Sequence, residues 1–150
     1  MNFHPQVGDQ LTIDGVTYQF AKHPAAPWMV FGQSGRQATV YQLVASSSAS
    51  GEGLGRQALK VFVPRFRMPA LVTLAERSRS YANLPGLQVC QRTVLVPQQH
   101  GALLQEYPDL LYAVLMPWIE GPTWQEVMAG EQVFTPQKSL KLAQQLAETL

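Results

Sequence analysis

FGQSGRQATVYQLVASSSASGEGLGRQALKVFV, residues 31–63, decides how this chain is read. Residues 28–31 and 39–44 are apolar and β-branched enough to be strands, with a glycine-containing turn between them. The Ser/Gly-rich run ASSSASGEGLGR then reads as a flexible loop, and residues 58–63 resume a strand that Pro64 ends. Nucleotide phosphates need bare backbone N–H groups with no side chain in front of them, and Gly35-x-x-Ala38-x-Val40, preceded by Gly32-Gln33-Ser34, offers such a turn. Taken alone, the turn serves equally as an ordinary hairpin. Lys60 stands in the middle of an otherwise apolar strand, where a buried ammonium is costly unless an anion meets it. Its alternative is to run its stem along the sheet and release the charge to water.

Outward from this stretch, residues 11–13 and 16–20 flank Asp14-Gly15, a strong type I′ hairpin signal, and the hairpin with its exit occupies residues 1–24. Pro69 suits the first position of a helix of about four turns, whose narrow apolar face is Leu71, Leu74, Ala75, Ser78 and Ala82 and which Leu84-Pro85-Gly86 stops. Residues 92–96 and 111–116 read as strands separated by a polar stretch carrying Pro97, Gly101 and Pro108. A short helix is expected at 123–128, and Thr135-Pro136 looks like an N-cap and first turn of a final helix. Leu140, Leu142, Ala143, Leu146, Ala147 and Leu150 give that helix a broad apolar side, a candidate surface for self-association. The order of elements fits an α+β fold, an antiparallel sheet of about five strands with one packed helix.

At 150 residues the chain has room for a sizeable core, with 46% apolar and 14% charged residues. A net charge of +1 with scattered Lys and Arg argues against nucleic acid as a partner. The one cysteine, Cys90, suits a reducing compartment and reads as a small apolar residue. His4, His23 and His100 lie at no metal-ligand spacing, no signal peptide opens the chain, and the longest apolar run, 110–119, is too short to span a bilayer. A cytoplasmic protein that does not engage the membrane is expected. Gly53-Leu54-Gly55-Arg56-Gln57-Ala58 matches the dinucleotide-binding G-x-G-x-x-A, but a serine run precedes it and a strand follows it, the reverse of what that motif needs.

Glycine turn, strand, linker and A-x-K strand together resemble the N-terminal lobe of a eukaryotic-type Ser/Thr protein kinase, of the kind found in bacterial kinase-like proteins, over roughly residues 28–150. The resemblance implies a lobe with its hinge at 25–122 and the start of a C-terminal lobe at 123–150. It implies ATP as the ligand: the loop over its phosphates, Lys60 in ALKVF on the α/β-phosphates, and a helix glutamate holding the lysine. Gly35 and Ala38 take the second and third glycine positions and Val40 the valine against adenine. The first glycine position falls on Gln33, with Gly32 one residue early, and Ala58 precedes the lysine by two. Glu76 in LAERSRSYANLP is the one carboxylate between Lys60 and Glu106, hence the expected partner for the lysine; on a helical wheel it stands about 100° from Ala75. LLYAVLMPWIEGPTWQEVM resembles the fifth strand, hinge and following helix, with Met116 as gatekeeper and Pro117 and Ile119 as the hinge residues beside the adenine edge. Trp118 and Trp124 are expected to pack.

The chain has three aspartates, Asp9, Asp14 and Asp109, and none stands in an H-R-D or D-F-G setting. Phosphoryl transfer of this type needs one aspartate to orient the hydroxyl and another for Mg²⁺. The expectation is therefore a piece of a kinase, truncated before those loops and inactive by itself. Mg²⁺ and a protein substrate would belong to the full-length parent. The alternatives are a pseudokinase or kinase-like scaffold that binds proteins without phosphoryl transfer, and an unrelated β-sheet interaction domain.

Overall fold

The computed structural model describes residues 3–46, 55–121 and 135–149. It is an α+β fold: nine strands, most of them in one curled antiparallel sheet, with three helices among the described residues. Strands β1 (Gln10–Ile13) and β2 (Val16–Phe20) form the expected hairpin, with Asp14 at φ 51° and Gly15 at φ 77°, the two positive values that a type I′ turn requires. Strand β3 (Lys22–His23) and strand β4 (Ala26–Val30) make a separate two-stranded ribbon across the HPAAP turn. Strands β5 (Gly32–Ser34), β6 (Ala38–Ala45), β7 (Gln57–Phe62), β8 (Thr93–Val94) and β9 (Val114–Pro117) then build the sheet.

The spatial order is β1-β2-β6-β7-β9-β8, with β5 also on β6. The eight residues of β6 serve two partners along one edge: Thr39, Val40 and Tyr41 pair with β5, and Leu43, Val44 and Ala45 pair with β2. The hairpin thus joins the same sheet as the glycine turn and makes it seven-stranded where about five were expected, while the strand expected at 28–31 lies in the separate β3-β4 ribbon and β5 takes its place beside β6. Alternation along β6 and β7 sends side chains to two faces. One face carries Leu43, Leu59 and Val61 into a core with Leu11, Ile13, Tyr18, Phe20, Leu95, Leu104 and Leu110. The other carries Ala38, Phe62, Val94 and Val114 against Ala75 of helix α1 (Ala70–Ser80).

Helix α1 has eleven residues, three turns where the apolar spacing predicts four, and Arg77 and Arg79 in its last turn complement the helix dipole. Helix α2 (Pro97–Glu106) occupies the stretch read from sequence as a polar connection. Pro97 opens it, and Leu104 and His100 are its buried residues. His100 interrupts the helical geometry at φ −123°, its Nδ1 accepts the Val96 N–H at 3.3 Å, and its Nε2 lies 3.1 Å from Asp14 Oδ1 on the hairpin turn. With Nδ1 accepting, the proton of a neutral ring sits on Nε2 and is donated to Asp14.

The strand expected at 111–116 begins only at Val114, because a 3₁₀ turn, Pro108–Leu110, and Tyr112 at φ 61° precede it. Strand β8 is likewise shorter than 92–96, although Leu95 continues the pairing by donating to Ala113 O at 2.9 Å. Helix α3 (Pro136–Thr149) starts as its sequence predicts: Thr135 Oγ1 accepts the Lys138 N–H at 3.3 Å. Leu140 and Leu142 on it are exposed, the former 62%. The helix expected at 123–128, with Trp124, lies outside the described residues. Among the described residues no helix is long and apolar enough to cross a membrane.

Candidate functional site

Antiparallel register aligns one residue from each of five neighbouring strands into a row on the α1 face: Gln33, Val40, Lys60, Val114 and Val94. Directly opposed residues share a face, so the expected phosphate loop, the valine and the lysine stand side by side. A second row, one pleat along, holds Gln42, Ala58 and Met116. The sequence places these residues over 84 positions of chain; the sheet gathers them because β6, β7 and β9 pair without a register shift.

Two cavities open on this face. One, of about 430 Å³, is lined by residues 33–38 together with Val40 and Lys60. The second, of about 460 Å³, lies between the sheet and α1 and is bordered by Lys60, Met116, Val114, Leu71, Ser78 and Arg92, among others. Lys60 and Gln37 belong to both. Each volume falls in the range of small-molecule sites. Among the described residues no carboxylate lines either cavity, whereas Arg36, Lys60 and Arg92 do, so the chemistry of the lining suits an anion.

Lys60 is half-buried and its Nζ lies 5.0 Å from the centre of the Phe62 ring, within cation–π range. Among the described residues no ion pair joins it to Glu76. Glu76 is exposed and borders neither cavity. The reason is helical phase. Leu71, Leu74, Ala75 and Ser78 are the α1 residues that border the cleft, and a residue 100° further round from Ala75 leaves that arc.

The two loop glycines have different causes. A Cβ on Gly32 would meet the Tyr41 ring at 2.9 Å, so this glycine answers a close approach of its cross-strand partner on the opposite face of the sheet. The Gly35 N–H is engaged within the turn, donating to Ala38 O at 2.9 Å, and the turn closes around Arg36 and Gln37. Ser34 Oγ and Thr39 Oγ1, 3.1 Å apart, brace its other side. At the far end of the site Pro117 pairs with Gln57, and the Trp118 N–H donates to Arg56 O at 3.0 Å. Trp118 packs on Phe31, centroids 5.5 Å apart, as expected of a packing residue, while Ile119 stands exposed at 67%.

All three aspartates are engaged away from these cavities. Asp14 faces His100, Asp109 pairs with Arg67 at 2.9 Å, and Asp9 Oδ2 accepts the Gln6 N–H at 2.8 Å. Among the described residues no group of His, Cys, Asp or Glu is arranged to hold a metal ion. Arg36, Gln37 and Arg92 were not singled out by sequence reasoning. For Arg36 and Gln37 the signal was position at the tip of the turn; for Arg92 it was a cation immediately before a strand that neighbours the lysine strand through β9.

No protein-family model, curated protein or solved structure matches the chain.

Proposed function

We propose that this chain is a nucleotide-binding lobe of the protein-kinase type, taking ATP on the α1 face of its sheet. The observation that carries the reading is the alignment of loop, valine and lysine on one cavity: residues 33–38, Val40 and Lys60 line an open cleft of about 430 Å³, with no carboxylate among the described lining residues. In this reading Lys60 holds the phosphate chain, Val40 and Ala58 contact the adenine, Met116 closes the pocket behind it, and Pro117 to Ile119 form the hinge edge. ATP would bring its phosphoryl group; the chain's own residues bind and orient. Transfer to a Ser or Thr of a protein substrate would require an aspartate base and Mg²⁺ ligands that Asp9, Asp14 and Asp109 do not supply.

Titration calorimetry with ATP on the wild type and on Lys60→Met tests the reading. A charge-assisted hydrogen bond to phosphate is worth about 1.5–3 kcal/mol, so the variant is expected to bind roughly ten- to a hundredfold more weakly. Equal affinity would overturn it. No transfer of the γ-phosphate above the Lys60→Met background is expected from this chain.

A second reading, a kinase-like binding module without phosphoryl transfer, is favoured by one observation: Glu76 does not pair with Lys60, leaving the lysine without the partner that holds it in catalysing members of that fold. Nucleotide binding unchanged by Mg²⁺ would support it, and a Mg²⁺-dependent gain in affinity would oppose it.

A further inference from the structure

The cleft between α1 and the sheet holds a cation that the kinase-type reading does not use. Arg92 borders it together with Lys60, and these two are its only charged residues among the described ones. Arg92 is half-buried, and Nη1 donates to Val89 O and Gln91 O, which ties the guanidinium to the turn before β8. Its remaining N–H groups bond to nothing among the described residues, and no carboxylate pairs with either cation there. Where the resemblance predicts a glutamate facing the lysine, α1 presents Ser78, and Glu76 points away. Two like charges bordering one cleft repel, and both gain when an anion lies between them. A planar guanidinium fixed by one nitrogen and open at the others suits two oxygens of a phosphoryl group.

We propose that this cleft is a phosphoryl-anion subsite, with Arg92 and Lys60 as its cations and Ser78 and Gln37 as neutral hydrogen-bonding groups. Its ligand is a di- or triphosphate: the phosphate chain of the nucleotide, entering from the loop cavity past the shared Lys60 and Gln37, or free pyrophosphate of the same chemistry. The nucleotide as source rests on the function proposed above; the subsite itself does not.

The test is calorimetric titration of pyrophosphate, ATP and AMP into the 150-residue chain and into Arg92→Gln, Arg92→Lys, Ser78→Asp and, as a control on the exposed side of α1, Arg79→Gln. Arg92→Gln is expected to weaken pyrophosphate and ATP about tenfold while AMP changes less than twofold. Arg92→Lys should recover most of that loss, and Arg79→Gln should match the wild type. Arg92→Gln also removes the ties to Val89 and Gln91, so Ser78→Asp supplies a second probe: it adds a carboxylate to the cleft without touching that turn and should reduce pyrophosphate affinity at least as much. Arg92→Gln or Ser78→Asp binding pyrophosphate and ATP like the Arg79→Gln control overturns the subsite. Pyrophosphate bound as tightly as ATP, with both sensitive to Arg92, sustains the subsite with free pyrophosphate as its ligand and removes the nucleotide reading. ATP binding lost in Lys60→Met but untouched in Arg92→Gln sustains the nucleotide reading and removes the subsite.

Discussion

The two faces of the sheet are built to opposite rules. Towards the hairpin and α2, Leu43, Leu59, Leu95 and Leu110 have no exposed surface, Ile13 almost none, and the buried imidazole of His100 has a partner on each nitrogen. Towards α1, the packed apolar cluster is five residues, two of them alanines, cavities stand open, and among the described residues three cations and no acid border them. Burial of a leucine stabilises by roughly 1.5–3 kcal/mol, so the first face carries most of the stability. The second leaves open space at the expense of packing, as the proposed nucleotide site would require. A ligand site needs room and unmatched charge, both of which destabilise a fold that has no reserve elsewhere.

The largest effect should come from breaking the packed face. Leu59→Ala removes a side chain with no exposure from the centre of β7 and is expected to cost about 2–5 kcal/mol in chemical denaturation. Leu71→Ala, half-buried on the α1 side, should cost only about 1 kcal/mol. Equal losses would abolish the distinction between the faces. Next in size is His100→Ala, which leaves the Val96 N–H without its acceptor and opens the space between α2 and the Asp14 turn. A loss of about 1–3 kcal/mol is expected, with ATP affinity unchanged, measured by denaturation and calorimetry on the same sample.

A smaller effect on the packed face appears only in alkali. Burial, and secondarily the Asp14 carboxylate, raise the Tyr18 hydroxyl above its ordinary value of 10.0. Between the ordinary and the raised value the folded state holds a proton that the unfolded state has released, so stability is full below pH 10 and falls as pH rises above it. Tyr18→Phe should flatten that alkaline decline in a series of melts from pH 9 to 11, and an unchanged slope would place its origin elsewhere.

The sequence was most legible where local chemistry dictates conformation. Asp14-Gly15 must adopt positive φ, Thr135-Pro136 caps and starts a helix, and the apolar alternation of β6 and β7 survives as the central strand pair. Helix α2 was hidden because PQQHGALLQE shows no apolar stripe: His100 and Leu104, four residues apart, are its only fully buried side chains, and a glycine interrupts it. Pro97 was the available signal, the same first-turn proline that marks the start of α3, while at α1 the proline, Pro69, is the N-cap. The site rows Gln33–Val40–Lys60 and Ala58–Met116 were legible in membership, since each residue is marked by its neighbours in sequence, while the two cavities and Arg92 depend on register and were not. Gly32 shows why a residue type is a weak guide to its role. It reads as part of a phosphate loop, yet the Tyr41 ring at 2.9 Å from a would-be Cβ is reason enough for a glycine there.

The smallest expected effect is the most discriminating for the binding face. Glu76→Gln removes the one carboxylate that the kinase resemblance assigns to Lys60. In the fold it is exposed, unpaired with Lys60 and outside both cavities, so its removal should change stability by less than about 0.5 kcal/mol and ATP affinity less than twofold. If ATP affinity instead falls as far as in Lys60→Met, α1 must rotate on binding by roughly the 100° that separates Glu76 from the cleft, or shift along its axis to bring the glutamate inward. The α1 face would then be a two-state device, not a preformed site. Leu71→Ala, which loosens α1 from the sheet, separates the outcomes: it should ease such a rotation and strengthen ATP binding if rotation occurs, and leave or weaken it if the helix binds where it stands.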